Sequence, residues 1–338
     1  MNLCGAHLLS IAQFGNLSDL RQIFDVAREL EVYARRERVT RVLEGAVMAS
    51  LFFEPSTRTR ISFESAFALL GGTVTSTTGF TFSSMAKGES IYDTSRVISG
   101  YADVMVVRHP EVGSVAAFAD ASSVPVINAG DGPGEHPTQA LLDLYTIMKE
   151  RRCELEDVDG ITIAMIGDLK HGRTVHSLTK LLSLFKKISF RFVSPAELAM
   201  PEYILEMLRE RGHEVFITEN LPEGVAGADV IYMTRIQEER FASVEDYQRH
   251  RGCYTVSRDV FSRFCKPEAI ILHPLPRDSR PGSNEIDVDL NDHSQLAIFR
   301  QTDNGIPIRM ALFTLALGVS DQIHRDSRPV NWFYRPRN

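Results

Sequence analysis

The sequence predicts an α/β protein made of two doubly wound domains with mainly parallel sheets. Three observations carry that expectation: short, almost continuously apolar runs recur along the chain, stretches of helical periodicity lie between them, and 338 residues are enough for two domains of ordinary size. Strands covered on both faces need near-continuous hydrophobicity, and this separates the runs from half-solvated antiparallel strands.

The runs in order are AVMASLFF (46–53), DVMVVRH (103–109), VPVINAG (124–130), ITIAMIGD (161–168), ISFRFVS (188–194), DVIYMT (229–234) and AIILHP (269–274). After the third comes HPTQALLDLYTIMKERR, in which Leu141, Leu144, Tyr145 and Met148 keep the i, i+3, i+4, i+7 spacing of one helix face. Strands interleaved with helices imply parallel sheets with right-handed crossovers. The polar, acidic stretch RRCELEDVDG (151–160) is the natural division, giving a first domain over 1–150 and a second over 151–305. The closing pattern IRMALFTLALGVSDQI (308–323) is apolar on most of its circumference and must be buried, but periodicity does not say in which domain. There is no internal repeat and no low-complexity segment.

The composition narrows the function. Hydrophobic residues make up 43 %, as in a packed globular protein, and the net charge of −7 argues against a nucleic-acid or anionic-membrane partner, so any anion site must be local. Cys4, Cys153, Cys253 and Cys265 are widely spaced with no C-x-x-C pair, which fits free thiols in a reducing cytoplasm better than a zinc knuckle or a disulfide framework. No apolar run approaches the roughly 20 residues of a membrane span, and MNLCGAHLLSIAQFG lacks the regions of a signal peptide. A soluble cytoplasmic protein with no membrane partner is expected. No metal-ligand set stands out, and neither G-x-G-x-x-G nor a P-loop is present in GDLKHGRTVHS (167–177), so no metal and no cofactor are expected.

The chemistry concentrates where strands hand over to helices. In open α/β sheets ligands lie beyond the carboxyl ends of the strands, where a starting helix offers free N–H groups and its positive dipole end. In LFFEPSTRTRISFE (51–64), Ser56 fits an N-cap, the N–H groups of Thr57, Arg58 and Thr59 are orphan helix donors, and Arg58 can clamp a phosphate; the alternative is a capped helix with solvated arginines. Arg108 follows a strand, and His136 and Gln139 open a helix after NAGDGPGE; taken singly, an ion pair and a helix cap explain them as well. Arg173 and His176 begin another helix, where a carboxylate could be met, and Arg235 and Gln237 follow a strand in YMTRIQEER. Pro274 and Pro276 stiffen the loop HPLPR, whose carbonyls can accept from an amine. Lys87, in SSMAKGES, reads by itself as a solvated surface residue.

Five of these motifs, FFEPSTRTRISFE, RHP, HPTQALLDL, GDLKHGRTVHSL and HPLPR, stand in a fixed order. Together they resemble the aspartate/ornithine carbamoyltransferase family from about residue 8 to about 320, and within it the branch that acts on aspartate. The resemblance implies an enzyme that transfers the carbamoyl group of carbamoyl phosphate to L-aspartate in pyrimidine biosynthesis, with the active site in the cleft between the domains. It assigns the phosphate to Ser56, Thr57, Arg58 and Thr59, the carbamoyl group to Arg108, His136 and Gln139, with Thr59, Arg108 and His136 directed at its carbonyl oxygen, and the amine and carbamoyl nitrogen to the carbonyls of Pro274 and Leu275. The aspartate carboxylates fall to Arg173, Arg235 and Gln237, while Lys87, with Ser83 or Ser84, reaches the site of a neighbouring subunit in a homotrimer. The helix at 306–325 is grouped with the first domain. Glu54, Glu239 and Arg240 are charges that domain closure could use.

Ornithine-type relatives have a Cys where Pro274 stands, and two arginines suit a dicarboxylate rather than a cationic amine. The alternatives are a carbamoyltransferase for another amine, of the ornithine type, and a catalytically silent scaffold paralogue. A separate regulatory chain, known in the family, is neither required nor excluded. Three features depart from the family's pattern: Ala86 before Lys87 where some members have a second Lys, the longer segment 278–284, and the tail HRDSRPVNWFYRPRN, which reads as a subunit contact or a mobile terminus.

Overall fold

The computed structural model describes residues 3–79, 84–236, 238–241, 243–278, 280 and 282–333, with the backbone alone at 84, 85 and 239. The chain forms two compact units, Met1–Leu141 with Asp303–Asn338, and Leu142–Thr302.

The first unit is built on a four-stranded parallel sheet in the order Thr73–Thr78, Val47–Phe52, Val104–His109, Val126–Asp131. On one face Ala49, Leu51, Met105, Val107 and Val126 form a core with Val115, Phe118 and Ala119 of the helix Ser114–Ala121. Elsewhere in the unit, Phe63 and Phe67 of the helix Thr57–Leu69 meet Phe313 edge-on at 5.9 and 4.9 Å, and the Arg309 guanidinium lies 4.7 Å from the Phe63 ring centre.

The second unit carries a five-stranded parallel sheet in the order Ile270–Leu272, Val230–Met233, Thr162–Ile166, Ser189–Val193, Glu214–Thr218. Ala164, Ile166, Ile231, Met233 and Ile271 pack with Val225, Phe261 and Ile286. All seven runs singled out by hydrophobicity are strands. Within the two parallel sheets, two further strands escape that criterion: Thr73–Thr78, reading TVTSTT, and Glu214–Thr218, reading EVFIT, form sheet edges and are largely solvated. Their β-branched residues suit a strand, but an edge needs no continuous apolar run.

Two helices differ from the periodicity reading. In Pro137–Arg151 the expected face is buried, but so are Asp143 and Ile147, at 0 % exposure each, so burial extends well round the helix. The closing helix runs Ile298–Ala316 with Pro307 inside it, and not over 308–323 or to 325. It stops because Gly318 N–H donates to Leu315 O at 3.2 Å and Val319 N–H to Thr314 O at 2.8 Å, closing its carbonyl end. A single 3-10 turn, Ser320–Gln322, follows. The tail then pairs with its own unit: Arg328–Pro329 runs antiparallel to Arg38–Val39, and Arg38 Nε donates to Ser327 Oγ at 2.7 Å. Among the described residues no helix is long and apolar enough to cross a membrane.

Charge fixes the start of the second sheet. Asp229 accepts from Thr162 N–H and from Lys266 Nζ, both at 2.8 Å, with Arg151 at 3.3 Å. Burial works to raise its pKa, but these donors outweigh it and hold the carboxyl below its ordinary value. A depressed carboxyl stabilises the fold above the unfolded pKa and loses that contribution as the pH falls. In urea titrations the advantage of the parent over Asp229→Asn is therefore expected to be constant at neutral pH and to shrink as pH falls through 3.8, the ordinary value. A second prediction concerns Gly167, at φ +114, where a methyl group would lie 2.3 Å from Thr234 O. Gly167→Ala is expected to cost about 3 kcal/mol. Gly160→Ala, at φ +77 but in open space, is expected to cost only about 1 kcal/mol in the same denaturation experiment.

Candidate active site

In each sheet the expected residues gather at one edge, because parallel strands all end on the same side. In the first unit Phe52 pairs with Arg108, and His109 pairs with Asp131, so the strands leading to Ser56, Arg108 and His136 terminate as neighbours. Phe53 N–H donates to Arg108 O at 2.9 Å, carrying the chain from the strand end toward the next helix.

Ser56 is the N-cap of Thr57–Leu69 in extended conformation, and its hydroxyl makes no capping bond. The first helical bond of this turn runs from Arg60 N–H to Ser56 O, so the Thr57, Arg58 and Thr59 N–H groups are the orphan donors. The two arginines of STRTR divide cleanly. Arg60 is neutralised one turn on by Glu64, at 3.2 Å, whose carboxylate also accepts from Ser50 Oγ at 3.0 Å. Arg58 has no hydrogen bond or ion pair among the described residues, and partial burial pushes its guanidinium below the ordinary value. A desolvated cation at a helix N-terminus, without an acid beside it, is a receptor for an anion.

Arg108 is held rather than solvated: Nη2 lies 2.9 Å from Glu54 Oε2, and Nη1 donates to Ala129 O at 3.2 Å. Glu54 thus fixes an arginine of its own unit. His136 is buried at 4 % exposure just ahead of Pro137–Arg151, with Thr138 Oγ1 at 3.5 Å from Nδ1. Its carbonyl accepts from Gln139 N–H at 3.1 Å. Lys87 ends the exposed 3-10 turn Ser84–Lys87, and Ser83 lies outside the described residues.

In the second unit the strand ends Ile166, Met233 and Leu272 are again neighbours, since Ile166 pairs with Met233 and Leu272 with Tyr232. Arg173 is the first residue of Arg173–Leu182, after Gly172, which caps without a side chain. His176 takes no part there: its Nε2 lies 2.7 Å from Leu169 O, it is buried, and desolvation lowers its pKa, so it closes its own turn as a neutral ring. Arg235 follows the strand end at Met233 with Nε buried and without a hydrogen-bond partner, and the side chain forms no ion pair with a described residue. Gln237 lies outside the described residues, as does the Glu239 side chain; Arg240 approaches Asp168 at 3.7 Å.

The loop at the end of Ile270–Leu272 shows what the sequence reading passed over. Leu275 has φ +58, in the left-handed region, and is joined to Pro276 by a cis peptide bond. Around it stand Asp143, Gln301 and Glu285, at 0 %, 1 % and 6 % exposure. Asp143 was legible only as a carboxylate inside an apolar helix pattern, and Gln301 and Glu285 lie beyond any motif.

Both halves of the chain match known domains. Residues 6–149 match the model of the aspartate/ornithine carbamoyltransferase carbamoyl-P binding domain, and residues 159–316 that of the Asp/Orn binding domain. The chain is 60 % identical over 333 residues to the aspartate carbamoyltransferase catalytic subunit of Cellvibrio japonicus, covering 98 % of each. Among solved structures it is similar to the catalytic subunit of Methanocaldococcus jannaschii aspartate transcarbamoylase (46 % identity, TM-score 0.83, 91 % of this chain and 97 % of that one). It is also similar to aspartate transcarbamoylase from Trypanosoma cruzi in complex with N-(phosphonacetyl)-L-aspartic acid (38 % identity, TM-score 0.84, 93 % and 97 %). With both domain models matched in order and a relative of this identity along nearly its whole length, the chain belongs to the aspartate/ornithine carbamoyltransferase family.

Proposed function

We propose that this chain transfers the carbamoyl group of carbamoyl phosphate to the amino group of L-aspartate, giving N-carbamoyl-L-aspartate and phosphate in pyrimidine biosynthesis. The observation that carries the reading is a pair of arginines that form no ion pair among the described residues, Arg58 at one sheet edge and Arg235 at the other, in a chain that matches both domains of the family. A phosphate and a carboxylate are the anions such sites suit.

The roles follow from charge. Ser56, Thr57, Arg58 and Thr59 hold the phosphate with hydroxyls, helix N–H groups and a guanidinium. Thr59, Arg108 and His136 point donors at the carbonyl oxygen, where negative charge develops as the amine attacks, and Gln139 stands beside the carbamoyl group. Arg108 suits that task because Glu54 and Ala129 O hold it before substrate arrives. Arg173, Arg235 and Gln237 bind the aspartate carboxylates, and the carbonyls of Pro274 and Leu275 accept from the attacking amine and the carbamoyl nitrogen. The N–C bond forms as the C–O bond to phosphate breaks, and the departing phosphate accepts the amine proton; no covalent enzyme intermediate is needed. Lys87 serves the site of the next subunit in a homotrimer of cytoplasmic protein, to which a separate regulatory chain can be added. Ornithine is disfavoured, since Arg235 repels a second ammonium group and Pro274 replaces the Cys of that branch.

Phosphate release from carbamoyl phosphate, measured with L-aspartate, L-ornithine and no amine in parallel, is expected only with aspartate and together with carbamoylaspartate. Release with ornithine instead would move the acceptor assignment; silence of the folded protein with every amine would favour a scaffold. Arg235→Ala is expected to weaken aspartate, read as KM, by about 10- to 100-fold, the worth of one charge-assisted pair, with KM for carbamoyl phosphate little changed. For the shared site, Arg58→Ala chains mixed with Lys87→Gln chains are expected to regain activity, and verified mixed trimers that stay inactive would exclude sharing.

A further inference from the structure

The loop His273–Arg277, reading HPLPR, is unusual in what it cannot donate. Pro274 and Pro276 have no N–H, so Leu275 supplies the only backbone donor among the three residues 274–276. That donor is taken: Leu275 N–H donates to His273 Nδ1 at 2.7 Å. A ring nitrogen that accepts carries no proton, so the hydrogen of the neutral imidazole sits on Nε2, which lies 2.7 Å from Glu285 Oε1 without making an aligned hydrogen bond to it. Burial of the ring at 1 % exposure favours the neutral form, and its pKa is pushed down accordingly.

Further contacts surround the ring and anchor its backbone. Glu285 accepts from Asp278 N–H through both oxygens, at 3.0 and 3.1 Å, so the far end of the loop hangs on the same carboxylate. His273 N–H donates to Gln301 Oε1 at 2.8 Å, and Gln301 Nε2 donates to Asp143 Oδ1 at 2.6 Å. Asp143 Oδ2 accepts from Tyr232 Oη at 2.7 Å, and burial beside Asp143 holds that phenol protonated, well above its ordinary value. The residue is thus tied twice, its ring through the Leu275 N–H and its backbone N–H through Gln301 to Asp143. The tie to Leu275 also bears on strain. A non-glycine residue at φ +58 is strained and persists only where its surroundings over-determine it.

We infer that His273, as the Nε2–H tautomer beside Glu285 and with its backbone N–H tied to the Gln301–Asp143 pair, is a positioning residue that occupies the single amide of residues 274–276 and so leaves Pro274 and Leu275 a purely accepting surface. This rests on the proposed function, in which those carbonyls receive the amine and the carbamoyl nitrogen; the tautomer and the bonding do not. Nothing in the roles assigned above requires a histidine at 273, and its ring need touch no substrate.

Two near-isosteres separate its two nitrogens in the full chain. Asn places an oxygen where Nδ1 accepts; Gln places an amide where Nε2 donates. His273→Asn is expected to keep kcat within about 3-fold of the parent, while His273→Gln loses about 100-fold in kcat, the scale of a misplaced positioning group. Both are expected to lower Tm similarly, with KM for carbamoyl phosphate little changed. Equal losses of kcat that follow Tm would make His273 merely structural, and unchanged kcat in both would remove the role; either overturns the inference. Nitrogen-15 NMR of the unsubstituted protein labelled in histidine gives an answer even where a variant fails to fold: a buried ring with unprotonated Nδ1 and protonated Nε2 is expected, and the opposite tautomer or an imidazolium overturns it. If the parent shows no aspartate-dependent phosphate release, the proposed function has failed, and the NMR result still decides the bonding on which this inference stands.

Discussion

Everything at the two candidate clusters depends on one constraint: a parallel sheet buried on both faces sends every strand out at the same edge. Backbone N–H and C=O groups inside the sheet are consumed by the ladder, so unsatisfied polar groups can collect only where strands stop. In the first unit the pairing of Phe52 with Arg108 and of His109 with Asp131 brings three loops together without any of them being near in sequence. In the second, the registers of Ile166 with Met233 and of Leu272 with Tyr232 do the same. The apolar runs that build the sheets therefore also place the chemistry.

Within that frame, electrostatics separates functional from structural charge. A chain of net charge −7 can still hold cations without acids, provided the acids are assigned elsewhere. Glu64 takes Arg60 and leaves Arg58; Glu150 takes Arg300 at 2.7 Å and Asp229 takes Lys266 at 2.8 Å. With those acids taken up, Arg58 and Arg235 are left without an ion pair among the described residues.

How far the sequence spoke depends on what each signal measures. Continuous hydrophobicity reports burial on both faces, so it found the seven inner and flanking strands and missed Thr73–Thr78 and Glu214–Thr218, whose outer sides meet water. Helical periodicity found Pro137–Arg151 but gave no sign of Asp143, since a carboxylate buried by Tyr232 and Gln301 has partners 89 and 158 residues away. The motifs located Ser56, Arg108, His136, Arg173, Arg235 and Pro274 because each follows a strand end. They gave His176 a possible ligand contact that it spends on Leu169 O instead. Local spacing cannot show which neighbour a buried ring has chosen.

The helix N-terminus at Ser56 and the loop His273–Arg277 also differ in polarity, as the roles proposed for them require. As an amine attacks a carbamoyl carbon, the oxygen gains negative charge and the nitrogen gains positive charge, so one side of the reacting centre requires donors and the other acceptors. A helix N-terminus with Arg58 and Arg108 is rich in donors by construction. A loop that alternates proline around Leu275, with the one intervening amide turned to His273, is left with carbonyls alone. Neither property demands a particular substrate shape; each follows from which backbone groups have been used up. On the proposed roles, selectivity between aspartate and a cationic amine then falls to Arg235 with Arg173 and Pro274, since a guanidinium favours a carboxylate and repels an ammonium group.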